Sequence, residues 1–353
     1  MRDIPRRAAL ALLAAGAATL RLRPAVAAPA PKPAAAPAPK PAAEDAAGPQ
    51  PDDAIDETWL DSRRNRVLPV RIRWPRGGDA QGVIVFSHGL GGNRAAGTVW
   101  GQAWRDSGFL VIHVQHPGSD TDALFAGPGA LKRAASVEQL QVRVQDAHFV
   151  IDEIERRRAL PSVRGEDDAW RHVRTEALGF CGHSFGSRTT LAVAGERVDA
   201  GVQADPRPRA FIAFSPGFNA REGKPDAAAA RHFSAISRPV LCVTGSLDDR
   251  VMFGDADQST RRAVYRGLPA GNKAELVLDG ADHMTFGGQT GFHARMGPLK
   301  RAPMAVERED THHAVVARIT TDWWRWRLLG DLAARDRLHT PAGLIAADTW
   351  RQG

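Results

Sequence analysis

Short apolar runs recur along the chain, each ending at a polar residue or a glycine. Gly82-Val-Ile-Val-Phe86, Phe109–Val114, Leu178–Cys181, Ala210-Phe-Ile-Ala-Phe214, Pro239-Val-Leu-Cys-Val243 and Ala274-Glu-Leu-Val-Leu278 are all of strand length. Runs apolar at successive positions predict strands of a sheet covered on both faces. Upstream, Val70, Ile72 and Trp74 alternate with Arg71 and Arg73, the two-residue period of a half-buried strand. Between the runs the period changes. Over Ser136–Arg158, Val137, Leu140, Val144, Ala147, Ile151 and Ile154 recur at three and four, which predicts a helix. Ser136 and Gln139 have the spacing of a capping box, and Arg156-Arg-Arg158 suits the negative end of the helix dipole. This helix is expected to be scaffold without chemistry. Val315, Val316, Ile319 and Trp323 predict a C-terminal helix packed on the sheet, with the neighbouring Trp324 and Trp326 as packing residues. Strands alternating with helices give an α/β class with a mostly parallel central sheet flanked by helices.

The run Leu178–Cys181 leads into Gly182-His-Ser184-Phe-Gly186 and then into an amphipathic stretch. G-x-S-x-G between a strand and a helix is a nucleophile elbow: a tight turn exposes the Ser184 hydroxyl at the strand tip. The first central run leads into Ser87-His-Gly-Leu90-Gly-Gly92, where small residues let the Leu90 N–H approach a substrate oxygen. After Val243 comes Thr244-Gly-Ser-Leu-Asp248-Asp249, two adjacent candidates for the acid of a triad, with the G-x-x-D-x-x-V spacing favouring Asp248. After Leu278 comes Gly280-Ala-Asp-His283, a histidine on the loop beyond the last strand. The order serine, acid, histidine is that of α/β-hydrolases. Asp282 is too close along the loop to orient His283. Phe218, past the strand ending at Phe214, is a candidate substrate contact or a packing residue. His113 and His116 have H-x-x-H spacing, but on a strand they face opposite sides, so they are expected to be structural.

Composition narrows the field. Of 353 residues, 43% are hydrophobic and 25% charged, enough for one large α/β domain. The net charge of +7 is carried by scattered arginines without a nucleic-acid-binding run. Two cysteines exclude a disulfide framework and a cysteine-rich zinc site, and Cys181 and Cys242 are expected to be unpaired. Residues 1–27 read as an export signal, with basic Met1–Arg7, apolar Ala8–Leu20 and the cleavage site Ala25-Val-Ala27. Arg6-Arg7 points to the twin-arginine route, with the general route open. Residues 28–52, rich in Ala, Pro and Lys, read as a disordered linker, and 53–353 as the catalytic domain. The product is expected to be exported, periplasmic or secreted, without stable membrane insertion after the signal is cleaved.

Phe86-Ser-His-Gly-Leu-Gly91 and Gly182-His-Ser-Phe-Gly186 resemble the α/β-hydrolases of the platelet-activating-factor acetylhydrolase, dienelactone-hydrolase-like and polyester-hydrolase group. The resemblance runs from about Trp59 to Gly330. It implies an α/β-hydrolase fold with Ser184 as nucleophile, His283 as base and Asp248 as its partner. The backbone amides of Leu90 and Phe185 would form the oxyanion hole. It implies a serine esterase acting on a small or lipid-like ester, with no metal and no cofactor. Dienelactone hydrolases carry cysteine where Ser184 stands, and many polyester hydrolases have paired C-terminal cysteines absent here. Both differences favour a general carboxylic-ester hydrolase with a preference for short acyl groups. Polyester or cutin hydrolysis and phospholipid deacetylation use the same triad, and a binding protein on the same fold is the reading from another class. The sequence leaves oligomeric state and natural ester open.

Overall fold

Each apolar run forms a strand, and the runs pair in parallel because the segments between them are long enough to cross over. The computed structural model describes residues 53–127, 129–160, 168–198, 201–217, 225–249, 257–289 and 301–353. Residues 1–52, read from the sequence as an export signal and a linker, and Phe218 lie outside the described residues. In chain order come β1 (Ile55–Asp61), β2 (Arg66–Arg73), β3 (Val83–Ser87), α1 (Thr98–Asp106) and β4 (Leu110–Val114). Two short helices, α2 (Thr121–Phe125) and α3 (Ala130–Ala134), precede the long α4 (Val137–Ala159). Then follow β5 (Leu178–His183), α5 (Phe185–Ala194), the small hairpin of β6 (Arg197–Val198) and β7 (Gly201–Val202), and β8 (Ala210–Phe214). The chain continues through α6 (Pro225–Phe233), β9 (Val240–Leu247), α7 (Gln258–Gly267) and β10 (Lys273–Asp282). It ends with α8 (Pro303–Glu307), α9 (Glu309–Leu329), α10 (Leu332–Arg337) and β11 (Thr349–Gln352).

The sheet order is β1-β2-β4-β3-β5-β8-β9-β10-β11. Strands β4, β3, β5, β8, β9 and β10 are parallel, while β1, β2 and β11 attach antiparallel at the edges. This is the α/β-hydrolase fold. Strand alternation sends Val83, Val85 and Phe180 to one core, against Val144 and Ile151 of α4. Ile84, Phe86 and Cys181 go to the other, against Trp100 and Trp104 of α1 and Trp323 and Trp324 of α9. Both faces are thus covered, which accounts for runs without alternation. Cys181 and Cys242 are free and buried, on β5 and β9 with β8 between them.

Helix α4 packs its apolar stripe on the sheet as expected, with Val144, Ala147, Ile151 and Ile154 in the core, but two of its details differ. The Ser136 hydroxyl accepts from the Gln139 N–H at 3.2 Å, but the Gln139 side chain turns away to the Pro117 carbonyl, so only half of the capping box forms. Arg143 and Asp146 on this helix are wholly buried beneath the β3 loop, so it carries polar groups into the interior. Among the described residues no helix is long and apolar enough to cross a membrane.

Candidate active site

The sharp turn at the tip of β5 leaves Ser184 at φ 55°, ψ −113°, a left-handed backbone that a serine adopts only under constraint. The constraint is visible. A Cβ on Gly182 would sit 2.5 Å from the Gly186 carbonyl oxygen and 2.6 Å from that of Ser87, and one on Gly186 would run into Ser87. Only glycine lets β3, β5 and α5 approach this closely. The Ser184 N–H donates to the Phe214 carbonyl at 2.9 Å, fixing the turn to β8. Ser184 keeps partial solvent access while His183 and Phe185 are buried. Helix α5 starts immediately after it, with its positive dipole end at the serine.

Sheet register brings the acid and the histidine together. Leu247 of β9 pairs with Asp282 of β10 across a bulge, so the next residues, Asp248 and His283, leave the sheet side by side. His283 Nδ1 lies 2.8 Å from Asp248 Oδ1. With Nδ1–H donating there, Nε2 is the ring atom left to accept a proton. Asp248 is fully buried, and its Oδ2 accepts from the Thr244 hydroxyl at 2.8 Å. Burial alone would raise the Asp248 carboxyl, but the Arg261 guanidinium and His283 outweigh it and hold it well below the usual carboxylate range. Asp249 is exposed. Asp282 caps the turn after His283 by accepting from the Thr285 N–H at 3.0 Å, and it pairs with Arg301. No hydrogen bond joins Ser184 Oγ to His283 among the described contacts. Such contacts are often long before substrate binds.

The β3 loop lies against the serine: a Cβ on Gly89 would be 3.3 Å from Ser184 Cβ. Gly91 N–H donates to the Ser119 carbonyl at 2.8 Å, and Gly92 N–H to that of Gly89 at 3.0 Å. Among the described residues, no protein acceptor takes the N–H of Leu90 or of Phe185. Two free donors beside a partly accessible hydroxyl are what a developing oxyanion needs.

Sequence reasoning passed over three sets of residues here. His183, the variable position of the elbow, is buried, and its Nε2–H donates to the His283 carbonyl at 2.9 Å. Burial, aided by His283, pulls the His183 ring down to about 3, so it stays neutral. Arg261, on α7, donates to the Asp248 and Ser215 carbonyls at 2.8 and 2.9 Å. Nothing in the linear spacing singles it out. The third set is Arg143, Asp146 and His88, which form a buried cluster with His116, a histidine expected to be structural. His113 and His116 do not converge: His113 Nδ1 is 2.8 Å from the Ala96 carbonyl, and His116 Nδ1 is 3.0 Å from Asp146. Among the described residues no cluster of three or more His, Cys, Asp or Glu could hold a metal ion.

No protein-family model matches the chain, and no curated protein matches it. One similar solved structure is the crystal structure of the 2,6-dihydroxy-pseudo-oxynicotine hydrolase. It aligns at a TM-score of 0.48 and 15% identity, covering 79% of this chain and 69% of that one.

Proposed function

We propose that this chain is a serine hydrolase that cleaves carboxylic esters through an acyl-serine intermediate. One observation carries the reading: a strained, partly solvent-accessible Ser184 stands at the same carboxyl end of the parallel strands as a buried His283–Asp248 pair. His283 Nε2 takes the Ser184 proton as Oγ attacks the ester carbonyl, because a neutral hydroxyl is a weak nucleophile. Asp248 keeps the imidazole in the required tautomer and stabilises the imidazolium. The N–H groups of Leu90 and Phe185 stabilise the tetrahedral oxyanion, each contributing about a hundred- to a thousand-fold in rate. The imidazolium returns its proton to the leaving alkoxide, and the alcohol departs. Water, deprotonated by the same ring, attacks the acyl-Ser184 ester, and the carboxylic acid leaves with Ser184 restored. None of these steps calls for a metal or an organic cofactor.

Short, dissolved esters are the proposed substrates, at an exported, periplasmic or secreted location set by residues 1–27. The packing of α6, α2 and α3 supports the substrate preference. Helix α6 buries Ala228, Ala229 and Phe233, with Ala229 directly against Gly267 of α7. It is therefore part of the packed body. Helices α2 and α3 are five residues each, and Thr121 ties α2 to the Gly91 carbonyl at 3.1 Å. The test is hydrolysis of p-nitrophenyl acetate, butyrate and palmitate below and above substrate aggregation, by the natural chain and by Ser184→Ala. The reading requires activity that Ser184→Ala abolishes and a higher kcat/KM for the short esters. A rate jump at the aggregation threshold overturns the substrate class, and an active Ser184→Ala overturns the mechanism.

A further inference from the structure

Beneath the β3 loop lies a polar cluster with a second serine–histidine–aspartate chain. Ser87 Oγ is 3.0 Å from His116 Nε2, and His116 Nδ1 is 3.0 Å from Asp146 Oδ2. Ser87, His116 and Asp146 are all fully buried, so no substrate reaches Ser87. The cluster must serve something else, and Arg143 shows what.

The Arg143 guanidinium is fully buried, and its partners fall on both sides of the candidate oxyanion hole. On the β3 side, Nη2 donates to Ser87 Oγ at 2.9 Å and to the His88 carbonyl, and Nη1 donates to Ser119 Oγ at 2.9 Å. Ser119 in turn holds Gly91 through its carbonyl. On the α5 side, Nε donates to Thr189 Oγ1 at 3.0 Å, and Thr189 reaches back to the Phe185 carbonyl at 3.1 Å. The guanidinium also stacks over the Phe185 ring, 4.8 Å from its centroid. His88 continues the chain: its Nε2 accepts from the His116 N–H at 3.0 Å, and its Nδ1–H donates to the Gly89 carbonyl at 2.6 Å. That carbonyl belongs to the same planar peptide as the Leu90 N–H, so holding one aims the other.

Among the described residues no carboxylate lies within salt-bridge distance of Arg143. Its partners are neutral hydroxyls and a carbonyl. A buried cation is ordinarily ion-paired, since desolvation is costly. Burial pulls this one down, and the nearby Asp146 and Asp120 carboxylates oppose it, leaving it at about 9 and charged at neutral pH.

We propose that Arg143 is the positioning residue of the oxyanion hole, its one guanidinium fixing the loop that presents Leu90 N–H and the helix turn that presents Phe185 N–H. The inference rests on the esterase reading above. A planar fork with five donors can hold both sides at once, which lysine cannot.

The test compares the natural chain with Arg143→Met, Arg143→Lys and Ser119→Ala. For each, kcat and KM are measured on p-nitrophenyl butyrate, with the Ki of an alkyl trifluoromethyl ketone, which forms an oxyanion on Ser184. The Kd of the matching methyl ketone reports ground-state binding. Arg143→Met is expected to lower kcat and raise the trifluoromethyl-ketone Ki together by about a hundredfold. KM and methyl-ketone affinity should stay within about threefold. Arg143→Lys should recover part of the loss, and Ser119→Ala should shift both quantities the same way by about fivefold. Folded Arg143 variants whose kcat and Ki stay within threefold overturn the proposal. So does a kcat loss with no change in the ratio of the two ketone affinities. If the Arg143 variants do not fold, Ser119→Ala decides, and an unchanged Ki overturns the proposal. A natural chain that does not bind the trifluoromethyl ketone overturns the esterase reading and this inference with it.

Discussion

Arg261 Nε lies 2.9 Å from Asp248 Oδ1, the same oxygen that receives His283 Nδ1. One buried carboxylate is therefore shared between a permanent cation and the ring it orients. Asp248→Asn should lower kcat by about ten-thousandfold, since the amide no longer holds the required imidazole tautomer. Asp249→Asn, at an exposed side chain, should leave kcat within twofold. Arg261→Met leaves the buried carboxylate short of a partner, with a stability loss of about 3 kcal/mol. Steady-state kinetics and urea melts of the three variants check this, and a crippled Asp249→Asn contradicts it.

The His183 ring spans the elbow and the His283 loop through a single donated hydrogen bond, 2.9 Å long. His183→Gln can still place an N–H near the His283 carbonyl, whereas His183→Phe cannot. The phenylalanine variant should lose about tenfold to a hundredfold in kcat, in line with an unsatisfied buried carbonyl, and glutamine should recover most of it. Equal losses in both variants would assign the effect to packing instead of the hydrogen bond.

Glu196 is buried with one carboxylate oxygen unpartnered, and His232 Nδ1 stands 3.9 Å from the other. Burial, opposed by Arg188, pushes its carboxyl up to about 7. Between the ordinary carboxylate value and pH 7, the unfolded chain releases this proton and the folded chain does not. Stability from this group is therefore complete at pH 4 and is lost as pH rises through 7. Glu196→Gln should match the natural chain at pH 4 and exceed it by about 3 kcal/mol at pH 8. Denaturant melts at both values decide, and a difference independent of pH contradicts the assignment.

Cys181 and Cys242 are buried, and desolvation pushes both thiols well above their ordinary range. A native chain should show no reaction with a thiol reagent over minutes and two equivalents after unfolding. Intact mass without the two-proton loss of a disulfide is the second readout. A rapid native reaction contradicts the placement of either residue in the sheet.

The central strands were legible because a sheet buried on both faces needs continuous apolar runs, and those runs survive in the linear order. Ser184, Asp248 and His283 were legible because each follows such a run at the same end of the sheet. The edge strands were harder. β1 buries Trp59 and Asp61 yet exposes Ile55 and Leu60, and β11 is four residues long with Trp350 as its one large apolar side chain, so neither has a core-strand signature. Helix α4 was read from its apolar stripe, which says nothing about polar side chains beside that stripe. Arg143 and Asp146 look like surface residues until α4 is laid on β3. The same holds for Arg261, whose carboxylate partner lies thirteen positions earlier and is reached only through the fold.

The account turns on Ser184 being the nucleophile, and covalent trapping tests that most directly. The natural chain is treated with a fluorophosphonate, digested with trypsin and sequenced by mass spectrometry. One phosphonyl adduct is predicted, on Ser184 within the peptide spanning residues 175–188, with stoichiometric loss of esterase activity and no adduct in Ser184→Ala. An unlabelled chain, or an adduct on Ser187 or any other residue that accounts for the inactivation, would contradict the serine mechanism proposed for this protein.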